Sequence, residues 1–130
     1  MAIEKSYFIN APVSKVWQAL VEPDLIEKWG GGPVEMRAEV GAEFTLWGGS
    51  IHGTVTEVQP ESRLAEDWFG DDWPEPSLVV FELAADGDAT RLTLTHTGVP
   101  PDQEGDFDTG WDDYYVGPLR DLVEDQATAR

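Results

Sequence analysis

The chain has no cysteine, only 8 lysines and arginines against 26 acids, two histidines and no long apolar run. The missing cysteine excludes disulfides, thiolate zinc sites and a cysteine nucleophile. The scarcity of cations leaves a formal net charge of −18, with acids spread along the whole sequence. A surface of that sign repels nucleic acid and anionic lipid, so neither nucleic acid nor a membrane is expected as a partner. It reads as a solvated acidic shell whose only lysines are Lys5, Lys15 and Lys28. Self-repulsion within that shell predicts stability that rises with added salt. No stretch approaches membrane-spanning length, and the amino-terminal MAIEKSYFIN breaks its apolar residues with charges, unlike a signal peptide. A cytoplasmic protein is the resulting expectation.

What is present is enough for a core. Of 130 residues 41% are hydrophobic and 11% aromatic, with six tryptophans, so one domain spanning 1–130 is expected to fold without a metal or a covalent staple.

Ile3, Lys5, Tyr7 and Ile9 alternate with Glu4, Ser6 and Phe8, a period of two that predicts a strand. After Ala11-Pro12, the residues Val13, Val16, Trp17, Leu20 and Val21 recur at helical spacing. Pro23 interrupts that helix, and Asp24 is placed to cap a second short one burying Leu25, Ile26 and Trp29. Gly30-Gly31-Gly32-Pro33 then marks a change from helical to strand patterning. Strands are predicted over Val34 to Glu39, Glu43 to Trp47, Ile51 to Val58, Arg63 to Phe69, Ser77 to Ala84 and Thr90 to His96. Val79, Phe81 and Leu83 should share one sheet face with Leu92, Leu94 and His96. Trp111, Tyr114, Tyr115, Leu119, Leu122 and Val123 predict a carboxy-terminal helix, which Gly117-Pro118 should kink or split. Strand, two short helices, a run of antiparallel strands and one long helix is an α+β order.

The residues that could carry chemistry are few. His52 and His96 lie far apart, without HExxH or comparable spacing, so neither a metal nor another cofactor is expected. The triple glycine follows no parallel strand and carries no P-loop lysine, and no serine sits in a nucleophile-elbow context.

Asn10 to Leu20 (NAPVSKVWQAL), Glu22 to Trp29 (EPDLIEKW), Val40 to Phe44 (VGAEF), Gly53 to Pro60 (GTVTEVQP), Arg63-Leu64, Thr90 to Gly98 (TRLTLTHTG) and Gly110-Trp111 stand in the order found in START-like domains. With these motifs the chain resembles the family of homologues of the heat-shock protein 90 ATPase activator. The resemblance implies a helix-grip fold: a curved antiparallel sheet wrapped around a long carboxy-terminal helix, two short helices after the first strand, and an apolar cavity between sheet and helix. In such a domain Trp68, Trp111 and Tyr115 would face one another across the cavity, with Phe81 and Leu94 beside them and His96 placed to orient a polar group. A satisfied structural histidine and a packed aromatic core remain the competing reading of these six residues. The segment from Trp68 to Pro74 could form a lid over the cavity or a packed turn.

Three functions follow from this reading. The first is a binding module for a small hydrophobic or amphipathic molecule. The second is a co-chaperone or protein-interaction domain with a chaperone as partner. The third is a cyclase- or dehydratase-like enzyme using His96 as acid or base. A monomer and a homodimer are both compatible with the sequence.

Overall fold

The structure, a computed structural model, describes residues 2–70 and 73–128. Strand β1 (Ala2–Ile9) turns Ile3, Lys5, Tyr7 and Ile9 inward and exposes Glu4, Ser6 and Phe8, as its alternation predicts. Helix α1 (Val13–Val21) buries Val16, Trp17, Ala19, Leu20 and Val21. Helix α2 (Pro23–Trp29) begins with Pro23 in its first turn, where the absent N–H costs nothing. Asp24 lies inside that turn, and Glu22, without a side-chain cap bond, occupies the capping position instead. The Trp29 indole donates to the Ala19 carbonyl at 2.9 Å and locks the two short helices together.

Five further strands follow: β2 (Glu43–Leu46), β3 (Ile51–Gln59), β4 (Arg63–Trp68), β5 (Ser77–Asp86) and β6 (Ala89–Thr97). They form one curved antiparallel sheet with β1 in the order β1-β6-β5-β4-β3-β2. The β5–β6 ladder pairs Val79 with His96, Phe81 with Leu94 and Leu83 with Leu92, so the predicted shared face is present. A register shift in β3 between Val55 and Glu57 adds local twist. Two residues before it on the same strand, Gly53 lies so close to the Asp67 carbonyl of β4 that no side chain fits.

The strand expected over Val34 to Glu39 is not formed. Only Glu35 bonds across to Thr45, through two backbone bonds of 3.1 and 2.9 Å. The bridge is antiparallel, so Met36 and Arg37 would continue it beside Phe44 and Glu43 of β2, but the chain bends away over 38–41, where the Ala42 N–H bonds back to the Glu39 carbonyl at 3.1 Å. At the other end of β2 the chain leaves the sheet direction at Trp47 (φ 50°) to enter a 3-10 turn, Trp47–Gly49.

The carboxy-terminal helix runs as α3 (Glu104–Gly110), a π-helical turn (Trp111–Val116) and α4 (Gly117–Thr128). The interruption expected at Gly117-Pro118 is thus a widened turn with helical backbone angles on both sides: the Gly117 N–H reaches back to the Asp112 carbonyl. One face of this helix buries Trp111, Tyr115, Val116, Leu119 and Val123 against the concave side of the sheet. Its exposed flank is tied to β1 through Asp112, which accepts from the Tyr7 hydroxyl at 2.7 Å and from Lys5 Nζ at 3.0 Å. Among the described residues no helix is long and apolar enough to cross a membrane.

Candidate functional site

Where the concave sheet meets the π turn, six aromatic rings crowd together. Trp68 at the end of β4 lies 4.8 Å from Trp111 between ring centroids, and Trp111 lies 4.8 Å from Tyr115. Tyr115 in turn lies 4.6 Å from Trp29 and 5.6 Å from Phe81, and Phe44 packs 6.5 Å from Trp68. The four-residue spacing of Trp111 and Tyr115 puts both on the inward helix face, while β alternation puts Leu64, Glu66 and Trp68 on the inward sheet face.

These rings fill the space between sheet and helix, and what stays open is a depression of 450 Å³ at one end. Its aromatic walls are Trp47, Trp68, Phe107, Trp111, Tyr114 and Tyr115, joined by Ile51, Gly110 and two polar residues, Ser50 and Asp106. Of the six residues singled out from the sequence, Trp68, Trp111 and Tyr115 lie in this wall. Phe81, Leu94 and His96 are wholly buried behind it. Trp47, assigned to a strand by its sequence, enters the wall because its 3-10 turn swings it toward Tyr115 at 6.2 Å.

His96 belongs to a closed chain of hydrogen bonds. The Trp111 indole, which can only donate, gives its Nε1–H to His96 Nδ1 at 3.1 Å. The ring proton therefore sits on Nε2, which donates to Ser77 Oγ at 2.8 Å, and the Ser77 hydroxyl passes its own proton to the Trp68 carbonyl at 3.0 Å. Burial holds the imidazole neutral and pushes its pKa down to about 4. This is the satisfied structural histidine among the two sequence readings. His52, the other histidine, stacks on Phe69 at the surface.

Glu66 escaped the sequence reading. It is 2% exposed, and the Trp68 indole donates to its Oε1 at 2.9 Å. Burial pushes its pKa up to about 7; burial, and after it the charge of Glu66, raises that of Tyr115. The signal was available: Leu64 and Trp68 point inward, so Glu66, midway between them on one strand, must do the same.

The proposed lid from Trp68 to Pro74 includes Asp71 and Asp72, which lie outside the described residues. Trp73 is buried, donates to Gln103 Oε1 at 3.2 Å and packs 5.3 Å from Phe107. Among the described residues no group of three or more histidine, aspartate or glutamate side chains could hold a metal ion.

Residues 10–124 match the family described as "Activator of Hsp90 ATPase homolog 1-like protein". The mouse activator of 90 kDa heat shock protein ATPase homolog 1 is 25% identical over 119 residues, covering 89% of this chain and 35% of the mouse protein. The chain thus spans about a third of the length of that relative. Protein MLL2253 from Mesorhizobium loti superposes with a TM-score of 0.85 at 28% identity, over 99% of this chain and 100% of the other. A heat-shock protein 90 activator from Plasmodium falciparum superposes with a TM-score of 0.87 at 24% identity, over 95% and 96% of the two chains, and supports the fold. The order of elements, the sheet wrapped on its last helix and the match over residues 10–124 place the chain in the activator-of-heat-shock-protein-90-ATPase homologue family of the START-like superfamily.

Proposed function

We propose that this protein binds a small hydrophobic or amphipathic molecule in the depression beside the π turn. The observation that carries this reading is the combination of a 450 Å³ volume with walls made almost wholly of aromatic rings. Small-molecule sites typically occupy roughly 300–1,000 Å³ and are lined in this way, with a few polar groups to fix orientation. Ser50 and Asp106 are those groups here. The arrangement does not favour an enzyme using His96, because both nitrogens of that ring are bonded inside the protein.

Native mass spectrometry of the purified protein, followed by tryptophan fluorescence titration with small apolar compounds, tests the reading. A co-purifying mass or a saturable quench that Trp111→Phe weakens is the expected result. A clean spectrum and no saturable response across the library would refute it.

Membership of the family supports a second reading, in which the domain acts on a chaperone ATPase. The ATPase rate of a purified heat-shock protein 90, measured against rising concentrations of this protein, decides it. An unchanged rate removes that reading.

A further inference from the structure

All three tryptophans of the depression have turned their only donor away from it. The Trp47 indole donates to the Gly30 carbonyl at 2.9 Å, Trp68 to Glu66 at 2.9 Å and Trp111 to His96 at 3.1 Å. What they leave at the wall is ring surface, and an aromatic ring carries negative potential on its face. Among the described residues no lysine, arginine or histidine lines the depression, and the only charged side chain that does is Asp106, exposed at its rim. The stretch from Pro101 to Val116 around it carries six acids (Asp102, Glu104, Asp106, Asp108, Asp112 and Asp113) and no basic residue. Lys5 is engaged by Asp108 and Asp112, and the charge of Arg120 also acts on Asp112.

We infer that the depression selects ligands that carry a positive charge on an apolar skeleton, an ammonium or amidinium group held between Asp106 and the aromatic rings. This inference rests on the reading that the depression is a small-molecule site. The skeleton lies on the aromatic floor formed by the packed rings of Trp68, Trp111 and Tyr115, beside Phe107. The cationic group stays at the mouth, where Asp106 pairs with it and the rings of Trp47 and Tyr114 add cation–π attraction. A carboxylate in the same place would meet neither a cation nor an indole N–H and would lie against an acidic rim. The net charge of −18 adds long-range attraction for cations and repulsion for anions.

Three probes matched in skeleton test this in the full chain at low ionic strength and pH 7.5: 4-phenylbutylamine, 4-phenylbutanol and 4-phenylbutyrate, each titrated against tryptophan fluorescence. The ammonium probe is expected to bind about tenfold more tightly than the alcohol, the carboxylate more weakly than either, and added salt to narrow the first gap. Asp106→Asn should collapse the ammonium-to-alcohol ratio several-fold, while Asp88→Asn, in the β5–β6 turn, should leave it unchanged. Equal binding of alcohol and ammonium overturns the cation preference and leaves the small-molecule reading intact. Tightest binding of the carboxylate overturns it outright. No saturable binding of any probe overturns both readings together.

Discussion

The indole Nε1–H of Trp111 donates to Nδ1 of His96 at 3.1 Å, so one bond fixes both the rotamer of a helix side chain and the tautomer of a sheet side chain. Through it the π turn is registered against β6, and through Ser77 against β5 and the Trp68 carbonyl at the end of β4. The wall of the depression inherits that registration, because Trp111 and Trp68 belong to it.

Replacing His96 with alanine strands the Trp111 donor and the Ser77 hydroxyl in the core and leaves a cavity. A loss of about 3 kcal/mol is expected at pH 7. The imidazole titrates at 6.5 in the unfolded chain and at about 4 in the folded one. As pH falls between these values the unfolded state takes up the proton first, so the wild type loses stability across that window, by about 3 kcal/mol in all. The gap between wild type and His96→Ala in urea denaturation should therefore close from pH 7 toward pH 4. A gap that stays constant would mean that burial does not hold this ring neutral.

Glu66 acts in the opposite direction. Its carboxyl titrates at 4.5 when unfolded and at about 7 when folded, so the unfolded state loses its proton first as pH rises. Stability is present in full below about pH 4.5 and is lost as pH climbs through 7. Glu66→Gln keeps an acceptor for the Trp68 indole and carries no charge. It should match the wild type near pH 4.5 and exceed it by as much as about 3 kcal/mol at pH 8. Denaturant midpoints measured at the two pH values check this, and a variant no more stable than wild type at pH 8 contradicts it.

The legible and illegible parts of this fold divide along a physical line. Alternation in β1, β5 and β6 is local, so those strands could be read directly to within a residue or two. Helical spacing at Trp111 and Tyr115 is local too, but the acidic residues before them, expected as a loop, form the first turns of the helix from Glu104. Val34 to Glu39 has strand composition, yet it keeps only one bridge to β2 because the chain bends away over 38–41, a tertiary outcome that local patterning does not report. Trp47 looked like a strand residue because only its positive φ, imposed by the turn with Gly48 and Gly49, turns it into the wall. His96 was found on the inner face, but its partners Ser77 and Trp111 lie 19 and 15 residues away, beyond the reach of spacing arguments.

The acidic shell gives a third prediction. With a net charge of −18, folding brings like charges closer than they are in the extended chain. Salt shortens the range of that repulsion. Raising sodium chloride from about 20 to 500 mM, which cuts the Debye length from roughly 20 Å to under 5 Å, should raise the thermal midpoint by about 4 °C. A flat or falling midpoint would show that the acids are already compensated within the fold.

Gly117→Ala reverses an ordinary expectation. Alanine in place of glycine inside a helix usually stabilises by about 1 kcal/mol, through helix propensity and a less flexible unfolded chain. Gly117 has regular helical angles (φ −57°, ψ −57°), so backbone conformation does not demand glycine. The Asp112 carbonyl does: it accepts the Gly117 N–H across the π turn and occupies the place a Cβ would need. Pro118 follows and supplies no N–H, so the chain cannot easily shift its ladder to make room. The substitution should therefore destabilise by about 1–2 kcal/mol and loosen the packing of Trp111 and Tyr115, which the same turn carries. Urea denaturation followed by tryptophan fluorescence reads both effects. A stabilised Gly117→Ala protein with an unchanged emission spectrum would mean that the π turn tolerates a side chain and that proline alone sets it.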